Sequence, residues 1–150
     1  MARPSPPQAA KCVRTILRIV HMNTSQYQPH QLGKWGEDKA AEYLQNKGYK
    51  ILERNFKRKW GELDIVAQKE KTIIFCEVKT IAKQNEDEPF FPEDEINEKK
   101  EKQLIKMVQI YLSYKKISPE TPCQIDIIAI EAINSEPNIR HYENAIEDVA

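Results

Sequence analysis

The chain has 150 residues, 40% of them hydrophobic and 31% charged, with 23 basic and 23 acidic side chains. That suits one soluble domain with a real core, excludes a disordered chain, and leaves no apolar run long enough to span a membrane. A net charge of zero also excludes a protein that coats nucleic acid by bulk charge, so any such contact needs a local basic patch or a cation that offsets local acid.

Residues 1–30 hold Arg3, Lys11, Arg14 and Arg18, four prolines and no acidic residue. They read as an N-terminal extension, expected to be poorly ordered. An Arg-rich, acid-free start also fits an organelle transit peptide, and a true start at Met22 is a second explanation. Residues 31–150 are expected to form the domain. Cys12, Cys76 and Cys123 make no CxxC pair or disulfide framework. They read as small apolar residues in a reducing, cytoplasmic setting. His21, His30 and His141 are too isolated in sequence for a zinc site.

The first helix is predicted over residues 32–47, closed by Gly48. Glu37, Ala40, Ala41 and Leu44 fall on one stripe, which puts a carboxylate on the inward face. The alternative is an edge glutamate whose head reaches water. Strands are predicted over residues 49–56, 62–67 and 72–79. Between the first two, Arg54, Phe56, Lys57, Arg58, Lys59 and Trp60 combine charge with aromatic faces, as single-strand binders do. A solvated turn with Trp60 packed is the other reading. The segment between the second and third strands is short enough for a hairpin, though it lacks Asn-Gly.

Residues 84–94 are acidic and proline-broken, a loop. A long helix is predicted over 95–116, with an apolar stripe of Leu104, Ile105, Val108, Tyr111 and Leu112. Its first turns carry Lys99, Lys100, Lys102 and Lys106. Pro119 and Pro122 end it. Residues 124–130 form a β-branched strand, 138–142 a short last strand, and the tail from Glu143 is open to a helical turn. The order gives an α/β fold with a mixed central β-sheet flanked by helices.

Charges inside the second and third strands stand out. Alternation puts Glu62, Asp64 and Val66 on one face, and Phe75, Glu77 and Lys79 on one face. A hairpin centred on Glu70 and Lys71 opposes Asp64 to Glu77 and Glu62 to Lys79. Two such carboxylates repel. Lys79, a retained proton or a divalent cation would relieve them, and hard oxygen donors suit Mg²⁺ or Mn²⁺. A solvated salt-bridge cluster is the plain alternative, but Ile65, Ile73, Ile74, Phe75 and Val78 beside the charges argue for burial.

Asp64 followed by Glu77-Val78-Lys79 resembles the PD-(D/E)XK nuclease signature. A longer ordered set is similar to the YraN family: Gly33, Gly36-Glu37-Asp38, Ala40-Ala41, Leu44, Gly48-Tyr49, Arg54-Asn55, Gly61-Glu62-Leu63-Asp64, Phe75 to Thr80, Lys100, Ile125-Asp126 and Glu143-Asn144-Ala145. The resemblance implies a restriction-endonuclease-like fold and metal-assisted hydrolysis of DNA phosphodiesters, on branched or single-stranded DNA. It implies that Asp64, Glu77 and the Val78 carbonyl ligate Mg²⁺ or Mn²⁺, that Lys79 orients water or stabilises the phosphorane, and that Glu37 lies near the metal. Lys100 would contact DNA phosphates, and, with no apolar run of spanning length, no membrane partner is expected. Arg54, Lys57 and Arg58, from the basic aromatic turn, are the further candidates for nucleic-acid contact. Asp126 is expected to hold a backbone or arginine partner, and Glu62 to stand behind the ligands. Ile81 and Gln124 stand where relatives often carry arginine. A catalytically silent nucleic-acid-binding or protein-interaction domain on the same fold is the alternative.

Overall fold

A computed structural model describes residues 28–83, 87, 89, 91, 95–133 and 136–147. Residues 1–27 of the expected extension and most of the acidic loop at 84–94 lie outside the described residues, whereas Pro29 and His30, assigned to that extension, open the first helix three residues before its predicted start. The elements are α1 (Pro29–Asn46), β1 (Lys50–Arg58), β2 (Gly61–Lys69), β3 (Thr72–Lys83), α2 (Glu98–Tyr114), β4 (Cys123–Ile133) and β5 (Glu136–Ile146). They build one five-stranded sheet in the order β1-β2-β3-β4-β5. Neighbours are antiparallel except β3 and β4, which run parallel. A parallel pair needs a crossover, and α2 lies in it.

Local chemistry sets the ends. Past α1, Gly48 takes a φ of 85°, a backbone state that costs glycine little. Asn97 caps α2, its side chain accepting the Lys100 N–H at 3.0 Å. That cap starts the helix three residues later than the predicted 95. Glu70, at φ 54°, closes the β2–β3 hairpin without asparagine or glycine.

The helices cover opposite faces of the sheet. α1 sets Ala40, Ala41 and Leu44 against Ile65, Ala67, Ile74, Cys76, Ile128 and Ile130. α2 sets Leu104, Met107, Val108 and Tyr111 against Val66, Phe75 and Ile125. Each large side chain so buried contributes about 1.5–3 kcal/mol. Burial on both faces explains why the central strands are nearly all apolar, and why any charge within them is costly. Among the described residues, no helix is long and apolar enough to cross a membrane.

The helical turn expected from Glu143 does not form. β5 continues to Ile146, with the register shifting between Ile125 and Ile127. Asp126, fully buried, explains it. Its Oδ1 accepts the Asn144 N–H and a Gln124 amide N–H, each at 2.8 Å, and its Oδ2 lies 2.7 Å from His141 Nε2. The expected backbone partner is there, joined by Gln124 and His141. A carboxylate with three partners holds the tail in the sheet.

At Gly36, α1 lies directly against β3. A Cβ added there would lie 1.8 Å from Thr80 Oγ1. We expect Gly36→Ala to lower stability by about 1–3 kcal/mol through overpacking. Thr80→Ala in the same chain should recover part of the loss, as read from urea unfolding midpoints of the two variants.

Candidate active site

The β2–β3 ladder runs from Lys69–Thr72 to Ile65–Cys76, the register expected from the hairpin. Continued by one step it would oppose Asp64 to Glu77, but the ladder stops at Ile65–Cys76. Asp64 Oδ2 instead accepts the Val78 N–H at 2.8 Å. A side-chain oxygen thus satisfies a strand amide at the point where the strands part.

Asp64 and Glu77 are both buried, at 6% and 5% exposure. Glu77 Oε1 lies 3.0 Å from Lys100 Nζ and 3.6 Å from Lys79 Nζ. Its Oε2 is buried with no hydrogen-bond partner among the described residues. Lys79 also stands 3.7 Å from Glu95. Burial pushes the Asp64 carboxyl up, from 3.8 to about 7. Glu77 adds to the rise, and so do Glu37 and Glu62, while the Val78 N–H opposes it. Glu37 therefore acts on Asp64 through its charge, from the helix on the other face.

Two oxygen donors fit a hard divalent cation. Magnesium commonly uses one or two protein carboxylates and keeps several waters. Among the described residues, no group of three or more His, Cys, Asp or Glu side chains is gathered closely enough to hold a metal. Any centre here therefore relies on Asp64, Glu77, backbone oxygen and water.

The structure brings Asp64, Glu77, Val78, Lys79 and Lys100 together. The other basic candidates are engaged elsewhere. Arg54 bonds Asp38 at 2.7 Å and lies 4.0 Å from Glu37. Lys57 pairs with Glu62 at 3.3 Å. Arg58 lies over the rings of Phe56 and Tyr114, at 4.1 and 4.5 Å. Glu37, Arg54, Lys57 and Glu62 line a groove of about 550 Å³. Asn55, at φ 54°, explains why Arg54 reaches α1 while Phe56 packs with Tyr111 of α2. The left-handed residue between them breaks the alternation. Sequence reasoning missed the contact of Lys100 with Glu77 and the bond from Gln103 to the Trp60 carbonyl, at 2.8 Å. The spacing of Gln103 from Lys99 and Lys100 was its one signal.

A mixed five-stranded sheet, helices on opposite faces and a buried acidic pair where two strands part define a restriction-endonuclease-like α/β protein. Residues 36–130 match the model of the Uncharacterised protein family UPF0102. The chain belongs to that family, the YraN family of the resemblance above. A UPF0102 protein of Persephonella marina is 43% identical over 115 residues, covering 77% of this chain and 92% of the relative. One from Syntrophotalea carbinolica is 36% identical over 121 residues, 81% and 95% of the two chains. One from Syntrophomonas wolfei is 40% identical over 116 residues, 77% and 96%. The family match spans Glu37, Asp64, Glu77, Val78, Lys79 and Lys100.

The raised Asp64 carboxyl has a signed consequence. Between its ordinary 3.8 and about 7, the folded chain keeps a proton that the unfolded chain has released. The stability this contributes is full below about pH 4 and is lost as pH rises through about 7. Asp64→Asn should therefore flatten the fall in stability across that window, by on the order of a few kcal/mol in total. Urea unfolding at stepped pH in the presence of chelator measures it. A wild-type slope in the variant would mean that ionising Asp64 carries no cost.

Proposed function

We propose that the protein is a metal-dependent nuclease that hydrolyses DNA phosphodiester bonds, with Asp64, Glu77 and the Val78 carbonyl holding Mg²⁺ or Mn²⁺. The observation that carries this reading is Glu77 Oε2, buried without a hydrogen-bond donor among the described residues, next to the Asp64 carboxyl that burial pushes up to about 7. Leaving such an acceptor unsatisfied costs about 1–3 kcal/mol or more, and a cation between the two acids would remove that cost. When bound, the ion would supply positive charge to polarise a phosphoryl oxygen and acidify water.

The chain's own residues have distinct tasks. The Val78 N–H orients Asp64. Lys100 reaches Glu77 from α2 and fixes its carboxylate. Lys79, partly exposed at the edge of the pair, positions the attacking water or offsets charge growing on the phosphorane. Glu37 deepens the negative potential that favours a cation. Free thiols at Cys76 and Cys123 suit a reducing cytoplasm.

One observation favours the second reading, a silent nucleic-acid-binding domain. Lys79 and Lys100 both lie within ion-pair distance of Glu77 and would neutralise it without metal. Two measurements separate the readings. Purified wild type should cut DNA with Mg²⁺ or Mn²⁺, and Asp64→Asn, Glu77→Gln and Lys79→Ala should each cut at least about 100-fold more slowly. Mn²⁺ should raise the melting temperature of wild type but not of Glu77→Gln. Equal cleavage by wild type and all three variants, with no Mn²⁺ effect on melting, would sink the nuclease reading.

A further inference from the structure

We infer that the groove between the β1–β2 turn and α2 binds a single strand of DNA, with an unpaired base stacked on Trp60 and phosphates on the lysines of α2. This rests on the reading that the protein acts on DNA, and adds where and in what form the strand lies.

The groove encloses about 590 Å³ and is lined by Trp60, Glu95, Lys99, Lys100, Lys102 and Lys106, among others. Trp60 is 42% exposed, one of three exposed large hydrophobic residues among those described. Its backbone is anchored, because Gln103 Nε2 of α2 donates to its carbonyl at 2.8 Å. Gly61, at φ 151°, makes room for that anchor, since a Cβ there would come 2.8 Å from Gln103 Nε2. The indole is thus presented on a fixed turn rather than on a loose one.

Cations surround the ring. Lys59 Nζ lies 4.4 Å and Lys106 Nζ 5.0 Å from its centroid. Lys99, Lys102 and Lys106 recur at helical spacing along one face of α2. Lys102 pairs with Glu98, whereas Lys99 and Lys106 have no carboxylate partner among the described residues. Lysines in a helix's opening turns also oppose its dipole. Lys99 and Lys106 thus have no counter-charge among the described residues, and phosphates would provide one.

The indole decides between one strand and two. A paired base inside a duplex has both faces covered by its neighbours, whereas an unpaired base can stack on an aromatic side chain. Phosphate contact alone would need no exposed ring. The groove also leads to the acidic pair. Lys100 lines it and bonds Glu77, and Glu95 lines it 3.7 Å from Lys79.

The test is anisotropy of a labelled oligothymidylate with the wild-type chain and its variants in chelator, so that binding is read without cleavage. Wild type should bind saturably. Trp60→Ala should weaken binding about 5- to 150-fold, the loss expected for one stacked base, and Trp60→Phe should keep most of it. Lys99→Gln with Lys106→Gln should reduce the slope of log affinity against log salt by about 1.4, about 0.7 per phosphate. Affinity for a blunt duplex should not change in Trp60→Ala. Equal oligothymidylate binding by wild type and Trp60→Ala, or an equal loss on duplex, would overturn the inference. Metal-dependent duplex cleavage by a wild type that fails to bind oligothymidylate would overturn it and leave the nuclease standing. Trp60-dependent binding without any metal-dependent cleavage would support the groove and remove the nuclease.

Discussion

Two carboxylates buried between apolar layers, where β2 leaves β3, are the constraint to which the surrounding residues answer. Their repulsion and lost hydration would each be costly in an unmodified sheet. The Val78 amide, Lys100 and Lys79 offset part of that cost. These partners come from the neighbouring strand and from α2, while Glu37 of α1 acts across the sheet in the opposite sense. The end of the β2–β3 ladder is part of the same solution, because it frees a strand amide for a side-chain oxygen.

The other buried acids show how this chain treats a carboxylate that has only a structural task. Asp126 has three partners. Glu131 faces Lys83 and Arg140, each at 2.8 Å, and Asn138 at 3.1 Å. Burial pushes the Glu131 carboxyl up, but bonds from Lys83 and Asn138 and the charge of Arg140 outweigh it, so the group ends below its ordinary value. Both are saturated. Among the buried carboxylates described, only Glu77 retains a buried oxygen without a donor. Buried charge is therefore tolerated towards both ends of β4, and the acid pair differs in being left incomplete.

Much of this was legible in the sequence, for local reasons. Strand periodicity put Asp64 and Glu77 on one face, and a hairpin taken to centre on Glu70 and Lys71 matches the observed Lys69–Thr72 pairing. Ala40, Ala41 and Leu44 of the predicted stripe do face the sheet, while Glu37 is only half-buried and lines the groove with Arg54. What escaped depends on three-dimensional closure. Asn55 adopts a left-handed state inside a strand, and period-two reading carries no sign of that. The tail after Glu143 has no strong strand propensity of its own, and a buried Asp126 holds it extended. Arg54, Lys57 and Arg58 looked like one basic turn, yet the fold sends them to Asp38, Glu62 and two aromatic rings. The partner of Lys100 lies 23 positions away, beyond the reach of any spacing rule.

Gly36 and Thr80 have a consequence for how such chains can diverge. The missing side chain at 36 lets α1 rest directly on the Thr80 hydroxyl. Glu37 follows Gly36, and Lys79 precedes Thr80. The contact that sets helix depth is thus covalently next to a residue on each side of the acid pair. Descendants should find these two positions difficult to change independently. A bulkier residue at one would require a smaller residue at the other, so that mutational history at 36 and 80 is written as paired exchanges, even though neither residue belongs to the chemistry.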